Sequence, residues 1–84
     1  MGQKEKLLLR LRSYPKDFTF DELVTLLGYC GYVRSNKGRT SGSRVMFVSE
    51  EHPPIMMHKP HPRNIIPMYQ IRQLIEHLEK EELL

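Results

Sequence analysis

The stretch DFTFDELVTLLGYCGY, from Asp17 to Tyr32, carries the start and stop signals of one helix and decides where helical structure gives way to strands. Thr19 and Glu22 have the spacing of a capping box, and Phe18 and Leu23 that of the hydrophobic staple that fixes how the chain enters a helix. Gly31 is the residue type that commonly ends one. The stretch therefore predicts a helix with a single apolar face, formed by Phe20, Leu23, Val24, Leu27 and a packed Cys30.

Beyond Gly31 the apolar residues alternate as they do in strands. Two such runs flank a connection rich in glycine and serine, from Gly38 to Gly42, which is typical of a hairpin. A third run follows two consecutive prolines. The three predicted strands are YVRSNKG (32–38), SRVMFVS (43–49) and PIMMH (54–58).

The second predicted strand has two different faces. Alternation turns Val45 and Phe47 to one side, and Arg44, Met46 and Val48 to the other. One end of the second face is therefore cationic.

Two further helices are predicted outside this central region. Leucines recur at helical spacing from Lys4 to Ser13, and Pro15 ends that pattern. The other helix follows Pro67 and runs to about Glu82, with an apolar face of Met68, Ile71, Leu74, Ile75 and Leu78. The order is α-α-β-β-β-α. A small three-stranded antiparallel sheet with helices packed on one face, an α+β fold, is the simplest way to bury these apolar faces.

Length and composition exclude several classes of protein. A chain of 84 residues fits one domain, and its apolar stretches are much shorter than the about 20 residues that cross a bilayer. Arg10 and Arg12 interrupt what would be the core of a signal peptide. Cys30 is the single cysteine, so no intrachain disulfide or cysteine-rich metal cluster can form. We expect a cytoplasmic protein without a membrane segment, a metal or a small-molecule cofactor.

The formal net charge of +3 is unevenly distributed. Between Leu23 and Ile75 the acids are Glu50 and Glu51, whereas the end of the chain is rich in glutamate. The cations of this middle region could follow a phosphate backbone without reading its sequence, although an ordinary solvated surface has the same composition. They are Arg34, Lys37, Arg39, Arg44, Lys59, Arg63 and Arg72.

The segment GYCGYVRSNKGRTSGSRVMF, with the strand that ends near His-Pro and the amphipathic helix behind it, resembles the HicA family of toxin-antitoxin ribonucleases. The resemblance covers residues 18–78. It implies a fold like a small double-stranded-RNA-binding domain, with one helix, three antiparallel strands and a second helix. Residues 18–82 would then be a HicA-like core, and residues 1–15 an added N-terminal helix. It also implies a toxin that cleaves messenger RNA and is held inactive by a HicB-like antitoxin.

The resemblance also points to particular residues, and at one position the chain departs from the family. In the family a Gly-Ser-His triplet on the second strand carries the catalytic histidine, and the matching residues here are Gly42, Ser43 and Arg44. A His-Pro pair after the third strand recurs in the family and matches His61 and Pro62.

Cleavage of RNA without a metal needs a base for the ribose 2′-hydroxyl, an acid for the leaving oxygen and cations for the charge that grows on the phosphate. Histidine suits both proton transfers because its ordinary pKa is about 6.5, whereas arginine keeps its proton and can only hold phosphate. We therefore predict His58 and His61 as the catalytic residues. The predicted RNA- and phosphate-binding residues are Arg44, Lys59, Lys37, Arg39, Arg34, Arg63 and Ser43.

Two other functions remain open from the sequence. The chain could be a non-catalytic RNA-binding or interaction module that kept the fold and lost the nuclease at Arg44. It could also be a structural adaptor whose acidic last helix docks a basic partner.

Each aromatic or titratable residue also has an ordinary structural explanation. His58 could end an apolar strand, and His61 could be a solvated loop residue. The two form an H-x-x-H spacing, but an extended backbone spreads it too far for us to expect a metal site. Structural or solvated positions are predicted for His52 and His77, and packed positions for Tyr29, Tyr32 and Tyr69.

Overall fold

The structure, a computed structural model, describes residues 2–35, 44–60 and 63–84. The predicted connection from Gly38 to Gly42, with Arg39, lies outside these residues, and so do Lys37, Ser43 and His61. In the described part of the chain no helix has both the length and the apolar character needed to cross a membrane. The elements are α1 (Gln3–Arg12), α2 (Phe20–Tyr29), β1 (Val33–Ser35), β2 (Arg44–Val48), β3 (Ile55–His58) and α3 (Met68–Lys80).

The three strands form an antiparallel sheet in the order β1-β2-β3, which confirms the predicted small α+β fold. Val45 and Phe47 of β2 are buried in one apolar core together with residues of all three helices. The opposite face of the sheet is open, since Val33 keeps 64% and Met56 50% of their surface exposed. The alternation predicted for β2 is confirmed.

The start of α2 follows the predicted capping box. The backbone N–H of Glu22 donates to Oγ1 of Thr19 over 3.1 Å, and the backbone N–H of Thr19 donates back to Oε1 of Glu22 over 3.0 Å. Phe18 and Leu23, the predicted staple, are both fully buried. At the other end Gly31 has a φ of 91°, a left-handed conformation that favours glycine. Local sequence signals therefore set both ends of this helix.

Helix α1 is joined to the start of α2 by Arg10. The Nε–H of Arg10 donates to Oε2 of Glu22 over 2.8 Å, and its Nη2 donates to the backbone oxygen of Asp17 over 3.0 Å. The guanidinium also lies over the Phe18 ring, 5.6 Å from its centroid. The hydrogen bond from Arg10 lowers the pKa of Glu22. One carboxylate thus serves both the cap of α2 and the docking of α1.

A polar cluster joins the end of α3 to the connection between β2 and β3. The buried hydroxyl of Tyr32 donates to the backbone oxygen of Pro53 over 2.8 Å and lies 3.0 Å from Nε2 of His77. His52 is paired with Glu81, with 2.9 Å between Nδ1 and Oε1. Burial raises the pKa of the Tyr32 hydroxyl. Both histidines therefore have the structural role that the sequence allowed.

The topology turns the uneven charge of the sequence into a separation in space. β2 begins and β3 ends at one end of the sheet, with Arg44, His58 and Lys59. The backbone of Arg34 lies further along β2, opposite Phe47, but its side chain meets that of Lys59 at the Phe20 ring, and we call these four residues the basic end. At the opposite end, β2 is followed by Glu50 and Glu51, and His52 pairs with Glu81 after the end of α3. We call this the acidic end. Anions will be attracted to the basic end.

Candidate nucleic-acid interface

Arg44 and His58 stand opposite each other on neighbouring strands at the basic end. They are register partners in the β2–β3 pair, and both are exposed. Direct partners in an antiparallel pair have their side chains on the same face, so both belong to the open face of the sheet. The fold thus brings a predicted phosphate-binding arginine next to a predicted catalytic histidine.

The second pair of predicted phosphate-binding residues meets at Phe20, the first residue of α2. The guanidinium carbon of Arg34 lies 5.7 Å from the centroid of the Phe20 ring, and Nζ of Lys59 lies 5.8 Å from it. Arg34 is the register partner of the buried Phe47, which places it on the helix-bearing face. A cation within about 6 Å of a ring centroid is attracted to the ring, so Phe20 holds both charges near the start of α2.

The predicted site residues that the structure describes therefore include two groups on opposite faces of the sheet. Arg44 and His58 lie on the open face, while Arg34 and Lys59 lie on the helix-bearing face. Sequence alternation assigned Arg44 to the face opposite Phe47 but did not place Arg34 or Lys59. The positions of Arg34 and Lys59 depend on the register of the strands and on the packing of Phe20 against the sheet, which are set by tertiary structure.

Arg63 is exposed in the connection between β3 and α3, which passes beside the start of α2. The neighbouring Asn64 fixes this return. Its side-chain amide donates to Oδ2 of Asp21 over 3.1 Å, and its backbone oxygen accepts the N–H of Phe20 over 3.1 Å. The backbone beside Arg63 is therefore held close to Phe20, whose ring Arg34 and Lys59 contact. The remaining predicted site residues, Ser43, Lys37, Arg39 and His61, lie outside the described residues.

Gln70 is a residue of this region that the sequence analysis missed. It lies in the first turn of α3, is only 3% exposed, and bonds through its side chain to both backbone groups of His58. The signal was available, because Gln70 stands four residues before Leu74 and eight before Leu78, on the apolar face of the helix, where a polar residue is unusual.

The prediction that the tyrosines pack is correct for Tyr32 and wrong for Tyr29 and Tyr69, which remain 48% and 58% exposed. Tyr69 directly precedes Gln70, in the turn of α3 that contacts the end of β3, and its ring points to solvent. The sequence could not decide this, because an early position in a helix is compatible with either side of an amphipathic face.

The geometry of the basic end suits a negatively charged polymer. The four residues of the basic end can all carry a positive charge. Two of them lie on each face of the sheet, so a polymer could contact cations on both faces. Within residues 2–35, 44–60 and 63–84, no three His, Cys, Asp or Glu side chains come together in a way that could hold a metal ion.

Comparison with known proteins gives one match. The sequence model of the family described as HicA toxin of bacterial toxin-antitoxin matches residues 20–79, from the start of α2 almost to the end of α3. No curated protein and no solved structure matches the chain. The matched region contains the whole sheet and both described groups of the basic end, and it excludes α1.

Proposed function

Because this chain belongs to the HicA toxin family of bacterial toxin-antitoxin systems, we propose that it is a metal-independent endoribonuclease that cleaves messenger RNA in the cytoplasm. Family membership gives the chain a toxin role and an antitoxin as its partner. The RNA substrate, the cleavage reaction and a HicB-like antitoxin are our proposal. The proposed reaction uses no small-molecule cofactor.

The observation that carries the proposal is the cross-strand pair of Arg44 and His58 on the open face of the sheet. A guanidinium can donate two parallel hydrogen bonds to one phosphate, which would hold the scissile phosphodiester beside the imidazole. An imidazole can accept or donate a proton near neutral pH. A phosphate held by Arg44 would therefore lie within reach of a proton-transfer group.

The reaction needs two proton transfers. A base removes the proton of the ribose 2′-hydroxyl, and the 2′-oxygen forms a bond to phosphorus as the bond to the 5′-oxygen breaks. An acid gives a proton to that leaving oxygen. We assign these roles to His58 and His61, and the charge on the phosphate is offset by Arg44. His61 enters on the sequence resemblance, because it lies outside the described residues.

Arg34 and Lys59 have a different task in this proposal. Both are held against Phe20 on the other face of the sheet, so one phosphate held by Arg44 would not be shared with them. They would bind phosphates further along the strand, together with Arg63, Lys37 and Arg39. Such contacts supply affinity without sequence preference.

A second function is favoured by one feature of the sequence. Arg44 stands at the position where the family resemblance places the catalytic histidine, and an arginine cannot act as a base. Arginine holds phosphate well, so affinity for RNA does not require a histidine at this position. The second function is therefore an RNA-binding module without nuclease activity.

The two functions are separated by incubating the purified protein with labelled messenger RNA in the presence of a chelator. We expect the wild type to cleave the RNA. Arg44→Ala should bind RNA more weakly and cleave it more slowly, because the guanidinium contacts the phosphate both before and during the reaction. His58→Ala and His61→Ala should bind nearly as well as the wild type, and loss of a proton-transfer group should slow cleavage by about 10²-fold or more.

Arg12→Ala is the matched control, since Arg12 is an exposed cation on α1, outside the matched region. It should change neither binding nor cleavage. If the wild type binds RNA but leaves it intact, the proposed nuclease activity is refuted and the RNA-binding module is the function that remains. Absence of binding by the wild type would refute both.

A further inference from the structure

We propose that Gln70 is a positioning residue, which fixes the end of β3 so that His58 faces Arg44 on the open face and Lys59 turns to Phe20 on the other. The consequence for catalysis rests on the proposed function. The positioning itself can be tested without any activity.

The first support is the way in which the side chain of Gln70 is used. Its Oε1 accepts the backbone N–H of His58 over 3.0 Å, and its Nε2 donates to the backbone oxygen of the same residue over 3.4 Å. The side chain is almost fully buried, where a primary amide without partners would be costly. Among the described residues, every buried side-chain nitrogen and oxygen atom has a hydrogen-bond partner. Gln70 meets this requirement at a single residue of β3.

The second support is the position of β3 at the edge of the sheet. In an antiparallel strand the N–H and C=O of one residue point to the same side, either toward the neighbouring strand or away from it. Both groups of His58 bond to Gln70, so they point away from β2. The side-chain amide therefore takes the place of the next strand and completes the pairing of the edge at this residue.

This orientation determines the kind of pair that His58 makes with Arg44. When the backbone groups of two facing residues point away from each other, the pair is of the non-hydrogen-bonded type, in which the Cα atoms are about 4.5 Å apart and the side chains are closer than in the alternative. Gln70 thus selects the closer arrangement of guanidinium and imidazole. A rotation of the strand end would separate them.

Lys59 depends on the same contact. It follows His58 directly, and successive side chains of an extended chain point to opposite faces. Fixing the backbone of His58 on the open face therefore directs Lys59 to the helix-bearing face, where its ammonium lies over Phe20. The buried amide of Gln70 therefore sets the direction of both His58, on the open face, and Lys59, on the helix-bearing face.

The test uses Gln70→Met, which keeps the length of the side chain and removes both hydrogen bonds. The matched control is Ile75→Val, a conservative change at another buried position of α3. The first measurement is the nuclear Overhauser effect between the Hα atoms of Arg44 and His58, which marks a non-hydrogen-bonded pair. The second is hydrogen exchange of the His58 amide. Gln70→Met should lose the Overhauser effect and exchange that amide about tenfold faster or more, whereas Ile75→Val should keep both as in the wild type.

Gln70→Glu provides a second variant if the methionine variant fails to fold. Its carboxylate can still accept the N–H of His58 but cannot donate to the carbonyl, so the amide should stay protected while the Overhauser effect weakens. With a wild type that cleaves RNA, Gln70→Met should lower kcat by about tenfold or more, and Ile75→Val should leave kcat unchanged.

The outcomes separate this inference from the proposed function. An inactive wild type in which Gln70→Met still loses both spectroscopic signals refutes the nuclease and supports the positioning role. Unchanged signals at His58 in Gln70→Met refute the positioning role whether or not the protein cleaves RNA. An unchanged kcat in Gln70→Met, beside an active wild type, refutes the consequence for catalysis.

Discussion

Arg10→Ala should destabilise the protein in a way that depends on pH, because the guanidinium contacts Glu22, Asp17 and an aromatic ring near the start of α2. The contact with Glu22 is the less exposed of the two charged ones, at 2.8 Å between Nε and Oε2 and 3.2 Å between Nη2 and Oε1. Nη2 also donates to the backbone oxygen of Asp17 over 3.0 Å and to its carboxylate over 3.1 Å, but that side chain is 72% exposed. The aromatic contact is with the Phe18 ring. The attraction to Glu22 should disappear when the Glu22 carboxylate is protonated, whereas the aromatic contact should remain.

The size of the effect follows from the exposure of the two partners. The side chains of Arg10 and Glu22 are 35% and 29% exposed, so solvent screens their attraction and the pair contributes at most about 1 kcal/mol. A cation over an aromatic ring adds about 0.5 to 1 kcal/mol. Alanine is a slightly better helix former than arginine, which returns a few tenths. The free energy of unfolding should therefore fall by about 1 to 2 kcal/mol at pH 7.

The pH dependence follows from the lowered pKa of Glu22, whose main cause is the hydrogen bond from Arg10. A carboxyl group with a lower pKa in the folded state adds stability that is present above its ordinary pKa and lost as the pH falls through the lowered value. Urea unfolding should thus give a smaller penalty for Arg10→Ala in strong acid than at pH 7. The remaining penalty should come from the Phe18 contact and from the hydrogen bond to the backbone oxygen of Asp17.

Arg12→Ala is the control, because Arg12 is an exposed cation of the same helix. Its penalty should be within about 0.5 kcal/mol of zero at both pH values. A double-mutant cycle with Glu22→Gln should remove most of the pH-dependent part. The reasoning is refuted if the penalty for Arg10→Ala is the same in acid as at pH 7.

Three further predictions concern other parts of the molecule. Thr19→Ala removes the oxygen that accepts the Glu22 N–H and should cost about 1 kcal/mol in urea unfolding while RNA affinity in a filter-binding assay stays unchanged; no loss of stability would mean that the cap contributes nothing. Tyr32→Phe leaves the carbonyl of Pro53 and the ring of His77 without the hydroxyl and should cost about 1 to 3 kcal/mol by the same unfolding measurement, and a neutral result would contradict the cluster at the acidic end. RNA affinity should fall steeply between about 50 and 200 mM salt, because each phosphate contact releases counterions, and a flat titration would argue against a phosphate-binding surface.

The elements with strong local signals could be predicted from the sequence. The start of α2 needs only Thr19 and Glu22, three residues apart, and its end needs only a residue that tolerates a positive φ at position 31. The faces of β2 follow from alternation. These features depend on neighbours in the chain, and the predicted ends of the helices differ from the observed ones by one or two residues.

The contacts that shape the basic end could not be predicted in this way, because their partners are distant in the sequence. Gln70 bonds to a residue 12 positions earlier, and Arg34 and Lys59 reach the same ring from opposite edges of the sheet. The docking of α1 is a similar case, with Arg10 and Glu22 12 positions apart. Such contacts require the register of the strands and the packing of the helices, which composition and periodicity do not specify.

The two helices that begin at the basic end differ in what they add to its potential. The first turn of a helix carries a partial positive charge that attracts anions. In α2 this charge is offset by Asp21 and Glu22, whereas the first turn of α3 contains no acidic residue. Since α3 contacts β3 through Gln70, the positive start of this helix lies at the end of the strand that carries His58 and Lys59. A phosphate beside the first turn of α3 should therefore be held more strongly than one beside the first turn of α2.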